Sequence, residues 1–238
     1  MYYKLAKFFL SFFDSFNKKK VSNFLLKKNN GKISVLIDVG SHHGESIIFF
    51  KRNFAVEKIL AFEADKDNFN ILKKKTKKYN NLKLYNIAIG DKTGFVNFKK
   101  HYDSESSTIV KINENSNYFK KKNRYLNFFN FKKNKFPEEK IKINSLDKII
   151  DSRDFNVIDL VKIDTEGYDF YVIKGLGKLI KKVKYIYFEH HFHDMLKKDY
   201  KFAEVDNFLK INNFRKDFKT KMFFRKTFEY IYSNNQLN

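Results

Sequence analysis

No cysteine occurs in the 238-residue chain. Disulfides, thiolate nucleophiles and thiolate metal sites are thereby excluded. Tryptophan is also absent and proline occurs once, against 29 Phe and 14 Tyr, which leaves phenylalanine and isoleucine to fill much of the core. Glycine is scarce, at eight residues, so those present mark backbone needs. Gly40, Gly44, Gly90, Gly94, Gly167 and Gly175 fall at or near expected turns. No segment has the length and apolarity of a membrane-spanning helix. The start, MYYKLAKFFLSFFDSFNKKK, has no small-residue cleavage site and carries Asp14 close behind its apolar run. A signal peptide is therefore not expected, and the expected location is cytoplasmic.

Acidic residues are outnumbered, 27 against 49 Lys and Arg, for a net charge of +22. Such a charge suits nucleic acid or an anionic membrane. The lysines scatter along the chain, however, and Lys, Asn, Phe, Ile and Tyr, all abundant here, share A/T-rich codons. Compositional drift accounts for the charge more simply than one basic arm would.

The length fits one domain with small additions. Residues 1–32 are expected to form an amphipathic helix and a connector, and 33–238 the main domain with an insertion around 100–140. In the first segment Leu5, Phe8, Phe9, Phe12, Phe13 and Phe16 recur at helical spacing. Packing on the domain or on a second subunit is the expected use of that stripe. The lysines of the polar face also suit peripheral contact with a membrane interface. Residues 18–32 read as a polar connector.

Strands are expected at 35–38, 58–63, 82–89, 94–99, 141–143, 158–164 and 183–189. Helices are expected at 44–53, after Asp65 or Asp67, at 146–150 behind a Ser145 cap, after Gly167, and at 202–211. Residues 215–224 and 227–232 read as a closing antiparallel pair. Alternating strands and helices argue for an α/β fold with a parallel, doubly wound sheet. Residues 113–135 lack clean periodicity and read as a loop or partly helical insertion over the site.

Ligands of open α/β sheets lie beyond the carboxyl ends of the strands. Asp38, Glu63, Asp164, Glu166 and Glu189 all fall there, with His42, His43, His190, His191 and His193. The stretch 35–46, VLIDVGSHHGES, reads as a strand, a glycine turn and a helix start. Gly40, lacking a Cβ, lets backbone approach a ligand, and the helix start offers N–H groups to a negative ligand group. Glu63 ends the following strand, where an acid accepts hydrogen bonds from a ribose diol. No Walker lysine follows Gly44. With Asp38 beneath the loop, a cationic ligand suits the place better than a pyrophosphate, and S-adenosylmethionine carries an amino group and a sulfonium. No fixed spacing of metal ligands is found.

Four motifs then resemble one family. They are IDVGSHHGES at 37–46, AFEADKDNFNIL at 61–72, NIAIGDKTGFVNF at 86–98 and IDLVKIDTEGYDFYVIKG at 158–175. In order and spacing these resemble the FkbM-type, S-adenosylmethionine-dependent methyltransferases. Ser41-His42-His43 replaces that family's usual small-Asn pair, and Asp169 stands where it often has Glu.

The resemblance implies a class I methyltransferase (Rossmann-like) sheet of order 3-2-1-4-5-7-6, mostly parallel with an antiparallel C-terminal strand. It implies that Asp38, Gly40, Ser41 and Gly44 hold the methionine part, Glu63 the ribose, and Ile87 and Ala88, ending strand three, the adenine. Catalysis is expected from Asp164 and Glu166, with His190 or His191 assisting and no metal. Tyr168 and Asp169 are expected to be helix-surface and packing residues. The expected reaction is O-methylation of a sugar or glycan hydroxyl. The alternatives are an RNA methyltransferase using the basic surface and a non-catalytic binding protein with this fold.

Overall fold

A computed structural model describes residues 2–100, 107–128 and 137–237, with side chains of the first helix described from Ser15 onward. The chain begins with α1 (Tyr2–Asn29), β1 (Lys32–Val39), α2 (Glu45–Asn53), β2 (Ala55–Phe62), α3 (Lys66–Thr76) and β3 (Leu82–Tyr85). It continues with β4 (Ala88–Ile89), β5 (Gly94–Lys99), α4 (Asn117–Phe128), β6 (Glu138–Asn144) and α5 (Leu146–Ile149). It closes with β7 (Ile158–Ile163), α6 (Asp169–Lys174), β8 (Val183–His191), α7 (Phe202–Ile211), β9 (Phe214–Lys221) and β10 (Thr227–Asn234).

The large sheet has the order β3-β2-β1-β7-β8-β10-β9. Counting only its own strands, this is 3-2-1-4-5-7-6. All pairings from β3 to β8 are parallel, while β10 runs antiparallel to both β8 and β9. Strand β1 is central, and Val35 through Val39 are all buried, as a strand covered on both faces requires. Alternation divides its side chains between two layers. Val35, Ile37 and Val39 join one apolar cluster, with Val161, Ile163, Phe188 and Tyr230 from neighbouring strands. Leu36 joins the other, with Ile59, Leu160, Tyr185 and Ile231.

Three expectations are corrected. The connector at 18–32 is helical as far as Asn29, and Val21 and Leu25 of α1 are buried in the second cluster. Lysines tolerated on a helix's wet face had disguised that continuation. The apolar stripe from Leu5 to Phe13 lies outside the described side chains.

The strand expected at 82–89 is two strands. After Tyr85 the chain leaves the large sheet, and β4 pairs with β6 in a three-stranded sheet of order β4-β6-β5. Asn86 Nδ2 makes that corner by donating to the Glu63 and Ala64 carbonyls (2.9 and 3.2 Å). Finally, Ser145 precedes α5, but its hydroxyl donates to Asp147 Oδ1 (2.6 Å) instead of accepting from the helix backbone. Of the expected insertion, residues 101–106 and 129–136 lie outside the described residues, and α4 is helical.

Candidate functional site

The turn from β1 to α2 is held by its own amides. Gly40 N and Ser41 N both donate to the Phe62 carbonyl (3.0 and 3.1 Å), and Gly44 N donates to Ser41 O (2.7 Å). His42 N donates to Glu63 Oε2 (2.7 Å) and His43 N to Glu45 Oε2 (3.1 Å). Every N–H from Gly40 to Gly44 is thus engaged within the protein. Ser41 Oγ turns inward onto Asp38 O (2.9 Å).

Gly40 has a positive φ of 78°. A Cβ there would lie 1.9 Å from the Asp164 carbonyl oxygen. The close approach that demands glycine is to the end of β7, whatever the ligand. Gly44, also at positive φ (88°), precedes α2 against Leu72 and Thr76.

Behind this turn, one face of the sheet carries an ionisable row across four strands. Asp38 of β1 is opposite Lys162 of β7, Lys162 is opposite Tyr187 of β8, and Glu189 is opposite Glu229 of β10. Asp38 is fully buried. Its Oδ2 accepts from Ser46 Oγ (2.5 Å) and its Oδ1 faces Lys162 Nζ at 3.4 Å. The same ammonium lies 3.3 Å from both the Gly40 carbonyl and Asp164 Oδ2. Burial alone would depress the Lys162 pKa, but Asp38, Asp164 and Glu189 outweigh it and hold the ammonium charged.

Tyr187 OH donates to Glu229 Oε1 (2.5 Å). Glu189 is pushed well above the usual carboxylate range, first by burial and then by Asp164, Glu229 and Glu166. Like charges opposite each other in a sheet are unfavourable, and a retained proton relieves them.

A cavity of about 480 Å³ opens over this row, at the carboxyl ends of β1, β2, β7 and β8. Gly40, Ser41, Glu63, Ile87, Ala88, Asp164 and Glu166 line it. Lys162, Tyr187, Glu189, Arg225 and Glu229 line it too, as do Asn17 and Lys18 of α1 and Thr108 of the insertion. Glu63 is buried, and both its oxygens accept backbone N–H groups, from His42 and Asp65 (2.7 and 2.8 Å). Burial raises its pKa against those hydrogen bonds.

The turn after β7 places Glu166 at a positive φ of 49°. Thr108 Oγ1 donates to its carbonyl (2.8 Å) and fastens the insertion to the turn. Asp169, expected on a helix surface, is instead buried beneath that turn and accepts from both Thr165 N and Oγ1 (3.0 and 2.9 Å). Burial lifts its pKa to about 6. Tyr168 is buried in the first cluster, as a packing role requires.

The two histidines part company. His191 Nδ1 pairs with Thr227 Oγ1 (3.0 Å), and its Nε2 lies 3.6 Å from Glu166 Oε2. His190, on the other face of β8, packs against Phe192, Tyr200 and Phe202, with Lys198 Nζ 3.1 Å from Nε2. Burial, then Lys198, lowers its pKa to about 3. Neither imidazole is among the side chains lining the cavity.

The structure therefore brings together Asp38, Gly40, Ser41, Glu63, Ile87, Ala88, Asp164 and Glu166, and leaves His190 apart. Lys162, Glu229 and Arg225 were not singled out from sequence. For Lys162 a signal existed: it shares the parity of Ile158 and Leu160 in a strand buried on both faces, so it had to point inward.

The sheet order and a cavity at these strand ends define a class I methyltransferase fold. The chain matches the Methyltransferase FkbM domain over residues 38–216 and belongs to that family. No curated protein matches it in sequence. Among solved structures it is similar to an FkbM methyltransferase from Methylobacillus flagellatus (TM-score 0.54, 15% identity, 84% of this chain covered). The chain spans 43% of that protein's length. It is also similar to the magnesium protoporphyrin IX methyltransferase of Synechocystis with bound S-adenosylmethionine (TM-score 0.54, 9% identity, 94% of this chain and 80% of that one). At these identities the likeness is one of fold.

Proposed function

We propose that the chain is an S-adenosylmethionine-dependent O-methyltransferase acting on a hydroxyl of a sugar or glycan. The observation that carries this reading is the cavity's acidity: Glu63, Asp164, Glu166, Glu189 and Glu229 line it in a chain of net charge +22. Carboxylates with the loop amides already engaged suit a ligand bearing an ammonium and a sulfonium better than a phosphate. The cavity volume also falls in the range of small-molecule sites, roughly 300–1,000 Å³.

Asp38, Gly40, Ser41 and Gly44 would hold the methionine part, Glu63 the ribose, and Ile87 and Ala88 the adenine. When bound, the cofactor supplies an electrophilic methyl group. The residues of the chain align the acceptor and take its proton. Asp164, fixed by Lys162, and Glu166 face the acceptor side. Glu189, kept protonated by burial and its acidic neighbours, lines the cavity beside them. His191 assists by holding Glu166, and His190 supports Lys198 behind the strand. The acceptor enters between α1 and the β9–β10 turn, beside Lys18 and Arg225.

The net charge favours a second reading, methylation of RNA. It predicts salt-sensitive RNA binding, and the acidic cavity argues against it, since phosphates would be repelled near Asp164. No described helix is long and apolar enough to cross a membrane. The reading adopted is a cytoplasmic enzyme whose α1 packs on the domain, with peripheral contact at a membrane as the alternative use of its lysines.

The test is transfer of labelled methyl groups to nucleotide sugars, polysaccharide fragments and RNA. Label in a sugar supports the reading, and label in RNA alone overturns it. A folded chain that binds no S-adenosylhomocysteine in calorimetry is a binding protein without turnover.

A further inference from the structure

The loop between β1 and α2 carries donors that methyl transfer does not use. His42 and His43 stack with ring centroids 3.7 Å apart and planes at 27°. Both present Nδ1 to one carboxylate. His42 Nδ1 lies 3.3 Å from Glu45 Oε2, and His43 Nδ1 lies 3.9 Å from Glu45 Oε1. One ligand atom from each of the three falls within 4.8 Å of the others, and no other such trio exists among the described residues. Around tetrahedral zinc, with bonds of about 2.0–2.2 Å to nitrogen and oxygen, ligand atoms stand about 3.3–3.5 Å apart. Small side-chain rotations close the difference.

A separate contact sets the chemistry of His43. Its Nε2 lies 3.1 Å from Asn68 Oδ1 on α3. An amide oxygen only accepts, so the proton resides on Nε2 and the Nδ1 lone pair is presented to the trio. An oxygen fixing the far nitrogen is the usual outer-shell partner of a metal-ligating histidine. Glu45 is oriented in turn by the His43 amide (3.1 Å).

We infer that His42, His43 and Glu45 form a binding site for a borderline divalent transition ion such as Zn²⁺. Three protein ligands leave a coordination position for water or for a ligand group, and His42 and Glu45 both border the cavity. The ion would also tie down His42, whose amide is hydrogen-bonded to Glu63. Lys75 Nζ, 3.3 Å from Glu45 Oε1, is the competing cation.

The test is calorimetric titration of the untagged full chain with zinc chloride, without cofactor, paralleled by the visible spectrum of a Co²⁺ titration. The expected result is one ion per chain. Affinity should fall at least ten-fold in His43→Ala and in Glu45→Gln, and rise in Lys75→Met, which removes the competitor. Glu45 is half exposed at its side chain (49%), so Glu45→Gln keeps the fold, checked by circular dichroism. Absence of binding overturns the site. So does binding that survives the double variant His42→Ala/His43→Ala, or that is lost in His193→Ala instead. Because no cofactor is present, failure here is distinguishable from failure of the methyl-transfer reading.

Discussion

Lys162 shows how one side chain sets the character of the site. Its ammonium is the cation facing Asp38 Oδ1, and that carboxylate is wholly buried. Replacing it with methionine keeps the volume and strands the charge. Removing one partner of a buried pair costs about 3–5 kcal/mol, so Lys162→Met should lower the urea midpoint by a corresponding amount. Asp169 has the opposite sign. Its folded pKa of about 6 lies above its ordinary 3.8. The folded state holds a proton there that the unfolded state has released, so the stability this group confers is full below about 3.8 and is lost as pH rises through 6. Asp169→Asn keeps an acceptor for Thr165 and removes that loss. The variant should gain about 1–3 kcal/mol over the parent at pH 8, with the gain vanishing near pH 3.5 in denaturant titrations. Glu63→Ala tests the assigned ribose contact. Affinity for S-adenosylhomocysteine should fall at least ten-fold by calorimetry, and full retention would remove that assignment.

Among the elements, α1 carries more than its lysine-rich sequence suggests. Leu25 is fully buried against the sheet, and Asn17 Nδ2 donates to Lys221 O of β9 (3.1 Å). Leu25→Ala should cost about 2–5 kcal/mol, read from chemical denaturation. Had α1 been an appendage ending at residue 17, the cost would be near zero. The large sheet was legible because buried parallel strands read as apolar runs closed by an acid, as at VLID, ILAFE and LVKID. The α1 continuation was hidden by its exposed lysines, and the split after Tyr85 by an apolar pattern that runs on unbroken while the strand changes sheet. In the site, Asp38, Glu63, Asp164 and Glu166 were legible as strand-end acids. Glu229 was not, since it sits mid-pattern in a C-terminal strand and reaches the cavity only because β10 inserts beside β8. His190 and His191 looked equivalent in sequence, but the two-residue period of β8 sends them to opposite faces.

For the whole molecule, a charge of +22 repels itself, and 27 acidic residues against 49 basic ones offset it only in part. Added salt screens that repulsion, with a Debye length near 10 Å at 0.1 M. The melting temperature should therefore rise between 20 and 200 mM sodium chloride, measured by calorimetry; a fall would mean that internal ion pairs dominate instead. The contact between Gly40 and Asp164 has a further consequence at this scale. The ends of β1, β2 and β7 are cross-linked by Gly40 N and Ser41 N to Phe62 O and by Asp164 N to Val39 O, with no room for so much as a methyl group between them. The loop and the Asp164 end of β7 thus form one rigid block. In hydrogen–deuterium exchange these three amides should open together, as a single cooperative unit, and motions that admit a ligand must belong to the parts around it.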